Sequence, residues 1–166
     1  MRLSTNHFAG LTATDLMSRD LTVISRHLSL RQSAHLLSQA HVSGAPVIDA
    51  EGACVGVISS TDFVHWAEGR RPDRRDWAPK DCACSDWQVF DTETLPSEEV
   101  GAYMTADPVT AAATTRIGDL ARMMLDAHIH RVIIVDEETH PVGVVSSTDI
   151  LAAVASFESA AHNPTQ

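Results

Sequence analysis

At 166 residues, with 44% hydrophobic and 20% charged positions, the chain is long enough to bury a core without disulfide or metal staples. Its 12 Lys+Arg against 22 Asp+Glu leave a net charge of −10, which argues against nucleic acid or an anionic membrane as the main partner. No run approaches the roughly 18 apolar residues of a membrane-spanning helix. The first residues carry no apolar signal stretch, and three cysteines are an odd number, so reduced thiols in the cytoplasm are the expectation.

In chain order, a helical turn is expected at Thr14–Ser18 and an extended piece at Leu21–Ser25. Ser29-Leu30-Arg31-Gln32 fits a capping box, and Leu30, Ala34, Leu37 and Ala40 keep helical spacing behind it. Two apolar strands follow, Ala45–Ile48 and Val55–Ile58, joined by the turn Asp49-Ala50-Glu51-Gly52. So short a connection predicts an antiparallel hairpin. A second helix starts at Ser59-Ser60-Thr61-Asp62, and Gly69 is expected to end it.

The whole order then recurs 87 positions on: Asp62 returns as Asp149, Met17 as Met104, His41 as His128, and Val55-Gly56-Val57 as Val142-Gly143-Val144. The second copy is expected to run from a helical turn at Glu99–Thr105 through an extended piece at Pro108–Ala111. A helix from near Thr115 follows, carrying Ile117, Leu120, Ala121, Met124 and Ala127, then strands at Val132–Val135 and Val142–Val145. Its last helix begins at Ser146-Ser147-Thr148-Asp149, and the tail from His162 is polar. Two copies indicate a pseudo-symmetric pair; a solenoid needs at least three.

Each Ser-Ser-Thr-Asp segment places hydroxyls beside the N–H groups of a helix start and adds a carboxylate able to accept two hydrogen bonds from a diol. That combination suits a ribose phosphate, and equally an ordinary helix N-terminus, where a first-turn Asp complements the dipole. Gly56 and Gly143 admit either a close-packed neighbour or a ligand at the strand. His41 and His128, each at a helix end, are expected as partners of the helix dipole.

The doubled β-α-β-β-α order resembles the CBS domain, named after cystathionine β-synthase, and the tandem pair called a Bateman module. The resemblance rests on Leu16-Met17 and on Tyr103-Met104-Thr105-Ala106-Asp107-Pro108-Val109-Thr110. It also rests on Ala45-Pro46-Val47-Ile48-Asp49, on His130-Arg131-Val132-Ile133-Ile134-Val135-Asp136, and on both Gly-Val-x-Ser-Ser-Thr-Asp segments. It implies an α+β fold, two pseudo-symmetric halves packed through their sheets, here 1–68 and 100–166; the insertion 69–99 between them departs from the family, whose linkers are usually shorter. The resemblance also implies an adenosyl ligand (AMP, ADP, ATP or S-adenosylmethionine) between the repeats, with Asp62 and Asp149 on ribose. Ser59 and Ser146 would lie near phosphate with Thr61 and Thr148 beside them, and Val23 and Thr110 would lie against adenine. In nucleotide-binding members a His-Arg pair neutralises phosphate; here His130-Arg131 supplies it in copy two, whereas copy one has Ser43-Gly44. Arg131 also has an alternative as a partner of the acidic turn Asp136-Glu137-Glu138.

The insertion opens on the basic run Arg70-Arg71-Pro72-Asp73-Arg74-Arg75 and holds Trp77, Cys82, Cys84, Trp87, Val89 and Phe90. Its tryptophans argue for a segment that folds back on the pair or covers an oligomer surface. Cys82 and Cys84 supply two metal ligands and no second pair; Asp81, Asp86 or a His could complete a site, and nothing in the spacing selects one. No nucleophile elbow or Walker loop is present. The expected function is a non-enzymatic regulatory module that senses an adenosyl ligand and signals to an effector protein; the resemblance implies a homodimer, for which helices 30–40 and 117–127 would supply the interface. A ligand-free interaction module and a metal or redox sensor are the alternatives.

Overall fold

A computed structural model describes residues 10–68, 95 and 97–162, with side chains as far as residue 157. The first copy contributes α1 (Ala13–Leu16), β1 (Ile24–Ser25), α2 (Leu30–Gln39), β2 (Gly44–Ile48), β3 (Cys54–Ser59) and α3 (Ser60–Ala67). A 3-10 helix (Val100–Ala102) and β4 (Thr105–Ala106) lead into the second copy, which contributes β5 (Thr110–Ala112), α4 (Ile117–Asp126), β6 (Arg131–Val135), β7 (Pro141–Ser146) and α5 (Ser147–His162). The fold is mixed α+β with two sheets, as the repeat predicts.

The chain divides into two compact units that do not follow sequence order. One gathers the described residues of Thr22–Glu51 and Val55–Asp107; the other gathers those up to Leu21, Gly52–Cys54 and those from Pro108 onward. In the copy-one unit the sheet order is β1-β2-β3-β4, with β1 parallel to β2 and β4 antiparallel to β3 through Gly56↔Ala106 and Val57↔Thr105. In the copy-two unit the order is β5-β6-β7, with β5 parallel to β6 and β6 antiparallel to β7. There Ser18 takes the place that Thr105 holds in the first unit, exchanging two 3.0 Å backbone hydrogen bonds with Val144 at the edge of β7. Each sheet edge is thus completed by the segment that in sequence leads into the other repeat. The turn expected at Glu99–Thr105 is a 3-10 helix followed by this two-residue strand, because β3 offers Thr105 and Ala106 an open edge to pair with.

Met17 and Met104 fasten those lead-ins. A methyl group added at Gly143 would lie 2.5 Å from Met17 Sδ, and one added at Gly56 would lie 2.5 Å from Met104 Sδ and 2.9 Å from the Thr105 carbonyl oxygen. The two glycines are therefore the sockets of the two methionines. The helices end alike as well. After α2 the N–H of His41 reaches the Ser38 carbonyl and that of Val42 the Leu37 carbonyl; after α4, His128 reaches Leu125 and Ile129 reaches Met124. Both are Schellman ends, with His41 and His128 at φ 54°. At these helix ends the histidines also take the left-handed position that turns the chain.

Each unit closes on its own core. In the first, Ile24, Leu30, Val47, Ile58 and Val100 are fully buried; in the second, Ala13, Leu120, Val132, Ile134 and Val145 are. At about 25 cal/mol per Å² of apolar area removed from water, the strand residues among them, with the alternating burial of β3 and β7, help fix the register of each sheet. That register carries the N-terminal ends of β5 and β6 and the C-terminal end of β7 to one side, so Thr110, Arg131 and Ser146 share one end of their sheet.

Candidate functional site

Both Ser-Ser-Thr-Asp segments form the same corner, a strand running directly into a helix. In copy two the Ser146 N–H and hydroxyl donate to Asp149 Oδ2 at 2.7 and 2.6 Å, and the Asp149 N–H returns a bond to Ser146 Oγ at 3.2 Å. In copy one the Ser59 N–H and hydroxyl donate to Asp62 Oδ2 at 2.6 and 2.8 Å. Each Asp is therefore the closing residue of a capping box, three positions after its serine, and the capping role foreseen for it is present in both copies. That role uses only one carboxylate oxygen, and the two copies part company over the other.

Asp149 is half-buried, and its Oδ1 has no hydrogen-bond partner among the described residues. An acceptor oxygen left open at a corner is what a vicinal hydroxyl needs. Arg131 lies directly across the ladder from Ser146, and the Ser147 N–H donates to the His130 carbonyl at 2.9 Å. These bonds hold the exposed His130-Arg131 pair beside the start of α5. Thr110, half-buried on β5, is at the same end of the sheet, and Thr148 is exposed on the first turn of α5. The copy-two corner thus joins an open carboxylate oxygen, a helix N-terminus and a guanidinium, which together can accept from a diol and donate to an anion.

Asp62 is only 6% exposed. Its Oδ1 accepts the Thr105 hydroxyl at 3.2 Å, so both oxygens are engaged. Burial pushes the Asp62 carboxyl above its ordinary range, against the pull of the Ser59 and Thr105 hydrogen bonds and of His65. At Arg131's place stands Gly44, where an added methyl group would lie 3.0 Å from the Ile58 carbonyl oxygen and 3.1 Å from Ser59 Cβ. A side chain there would require its neighbours to give by a few tenths of an ångström. Thr61 is exposed on α3, and Val23, 38% exposed, precedes β1.

Sequence reasoning singled out neither Thr105 nor the methionine sockets as part of a corner. The signal was there: Thr105 aligns with Ser18, and Met104 with Met17, at the common offset. Sequence reasoning named the acidic turn but not the grouping of Asp136 and Glu138 with His140, whose ligand atoms lie within 4.8 Å of one another in the β6–β7 turn. Asp136 Oδ1 there accepts the N–H groups of Glu138 and His140 at 3.1 and 2.8 Å, as Asp49 Oδ1 accepts that of Glu51 at 3.1 Å in copy one. The acidic pair is a turn-closing device common to both copies. Cys82, Cys84 and the tryptophans Trp77 and Trp87 lie outside the described residues, as do Gly69 and the polar tail after His162.

The CBS domain pattern matches residues 13–69 and 100–156, both repeats and most of the chain. The chain belongs to the CBS domain family. Among relatives of this CBS pair is the chloroplastic CBS domain-containing protein CBSX2 of Arabidopsis thaliana, 27% identical over 94% of this chain and 68% of that protein. A crystal structure of CBSX2 in complex with AMP superposes with a TM-score of 0.68 at 24% identity, over 90% of this chain and 99% of that one. The CBS pair of protein MJ0100, in complex with 5′-methylthioadenosine and S-adenosylmethionine, does so with a TM-score of 0.67 at 20% identity, over 89% and 98% of the two chains. At these identities the likeness of the solved structures is one of fold. Among the described residues, no helix is long and apolar enough to cross a membrane.

Proposed function

We propose that this CBS pair is a regulatory sensor of an adenosine-containing ligand, held at the copy-two corner, and that it passes ligand occupancy to an effector protein without catalysing a reaction. The observation that carries this reading is the open Oδ1 of Asp149 in one corner with Arg131. Asp149 accepts the ribose diol, Ser146 and the α5 N-terminus face the phosphate, and Arg131 neutralises it. Thr110 lines the adenine side, with His130 and Thr148 at the rim. Support comes from relatives of the same fold seen with AMP, and with S-adenosylmethionine and 5′-methylthioadenosine. A free phosphate calls for a cation, so AMP, ADP and ATP suit this corner better than S-adenosylmethionine does.

Thermal denaturation with AMP, ADP, ATP, S-adenosylmethionine and adenosine tests the reading. A true ligand at about 100 times its dissociation constant adds about 2.7 kcal/mol. Arg131→Ala should weaken the nucleotides by about 10- to 100-fold, the worth of a charge-assisted hydrogen bond, and leave adenosine unchanged. Asp149→Ala should weaken all five. If none of them raises the midpoint of the wild-type protein, the sensor reading is lost and the capping box is the whole role of the corner.

The pair acts as a homodimer in this reading. What supports it is the apolar surface left on the helices: Leu125 is 75% exposed, Leu151 66% and Val154 37% on α4 and α5. An apolar groove of about 330 Å³ lies on the α2–α3 face, lined by Ala34, Leu37, Val42, Phe63, Val64 and Leu95. Surfaces of this kind mark contacts with another chain. Sedimentation of Leu125→Glu and Leu151→Glu should show monomer where the wild type shows dimer; an unchanged wild-type monomer would remove the proposal.

A further inference from the structure

We infer that Thr105 holds the copy-one corner shut to ribose, so that the pair binds one adenosyl ligand per chain despite carrying the acceptor motif twice. The inference rests on the reading of these aspartates as diol acceptors and adds a specificity determinant to it. A diol needs open lone pairs on the carboxylate. Asp62 has its Oδ2 taken by the Ser59 N–H and hydroxyl, and the Thr105 hydroxyl occupies one of the two acceptor sites of Oδ1, leaving one where a diol needs two. Burial says the same independently: at 6% exposure, a ligand reaches this carboxylate only by displacing what covers it. Thr105 is not loosely placed, because β4 pairs it with Val57 and Met104 is seated on Gly56 just before it.

The other copy supplies the control. Ser18 stands where Thr105 stands, bridged to Val144 as Thr105 is to Val57. Yet the Ser18 hydroxyl makes no hydrogen bond to Asp149, which keeps Oδ1 open and is half-buried. The sequence motif is the same in both copies; the residue arriving from the lead-in decides whether its carboxylate is offered or spent. Thr105 is a positioning residue here, acting on the ligand site through Asp62.

Calorimetric titration of the full chain with AMP tests this by its stoichiometry. We expect one AMP per chain in the wild type and in Thr105→Ser, which keeps the hydroxyl. Two are expected in Thr105→Ala, and again one in Thr105→Ala combined with Asp62→Ala. Thr105→Val, which keeps the strand-favouring shape while losing the hydroxyl, carries the same expectation as Thr105→Ala should the latter fold poorly. A wild type that binds two AMP, one of them lost in Asp62→Ala, overturns the inference and leaves the sensor reading standing. So does a hydroxyl-free variant that still binds one. A wild type that binds none while Thr105→Ala binds one through Asp62 upholds the inference and removes Asp149 as the native site. AMP binding by neither removes both.

Discussion

Asp62 and Asp149 hold the same place in two copies of one motif, and they are in different chemical situations. Asp149 keeps one oxygen open at a half-buried corner beside Arg131, whereas Asp62 is sealed, hydrogen-bonded on both oxygens and faced by Gly44 where the arginine would stand. Nothing within Ser-Ser-Thr-Asp accounts for this, since those four residues are identical. The difference comes from outside the motif: from the residue at the start of the first hairpin strand, β2 or β6, and from the lead-in segment that each sheet receives. A duplicated motif therefore does not mean a duplicated site, because an acceptor is only as available as its neighbours leave it.

The largest contrast should appear at the two methionine sockets. Gly56→Ala drives a methyl group to 2.9 Å from the Thr105 backbone oxygen as well as onto Met104, so strand β4 itself must move. At Gly143→Ala the three nearest atoms are Met17 Sδ, Cγ and Cβ, all side chain, and the thioether end of the methionine can swing away. Overpacking of this kind costs about 1–3 kcal/mol, and Gly56→Ala should fall near the top of that range with Gly143→Ala near the bottom. Urea unfolding of the two variants measures the gap; equal losses would mean that β4 yields as easily as a side chain. Because Gly56→Ala displaces Thr105, it should also loosen the cover over Asp62.

A smaller contrast lies in acid. Burial raises the Asp62 carboxyl above its ordinary value of 3.8, so the folded chain holds that proton more tightly than the unfolded chain does. The stability this provides is fully present below the unfolded value and is lost as pH rises through the folded one. Stability of the wild type relative to Asp62→Asn should therefore fall as pH climbs from about 4 and then level off, as read from urea midpoints across the acid range. A relative stability that instead rises over this window would show that the Ser59 and Thr105 hydrogen bonds outweigh desolvation.

The elements themselves were legible in the sequence because each is dictated locally. Ser29 and Gln32 do form the capping box, and every predicted strand stands within a residue or two of its place, since alternation and turn chemistry act over a few neighbours. The asymmetry of charge at the corners was legible too, from His130-Arg131 against Ser43-Gly44. The exchange of lead-ins and the role of Thr105 were not. Both depend on pairing between segments more than forty positions apart, Thr105 with Val57 and Ser18 with Val144, and a propensity read along the chain carries no term for that. The glycines sit between these cases: a close approach at each was visible, but whether a side chain or a ligand made it, and which side chain, was not.

The smallest effect belongs where the copies agree. His41 and His128 sit at φ 54°, one residue past the caps of α2 and α4, and both are exposed. A side chain at left-handed φ costs about 1–2 kcal/mol, which glycine does not incur. Glycine in turn loses about 0.5–1 kcal/mol more chain entropy on folding, so His41→Gly and His128→Gly should each gain only a fraction of a kcal/mol to about 1. The gain should be the same in both copies, because each helix end is built from the same two backbone hydrogen bonds and neither side chain is buried. Unequal gains would mean that one histidine does more than turn the chain. Equal gains beside unequal glycine sockets and aspartates would confine the divergence of the copies to the sheet edges, where each receives the other's lead-in.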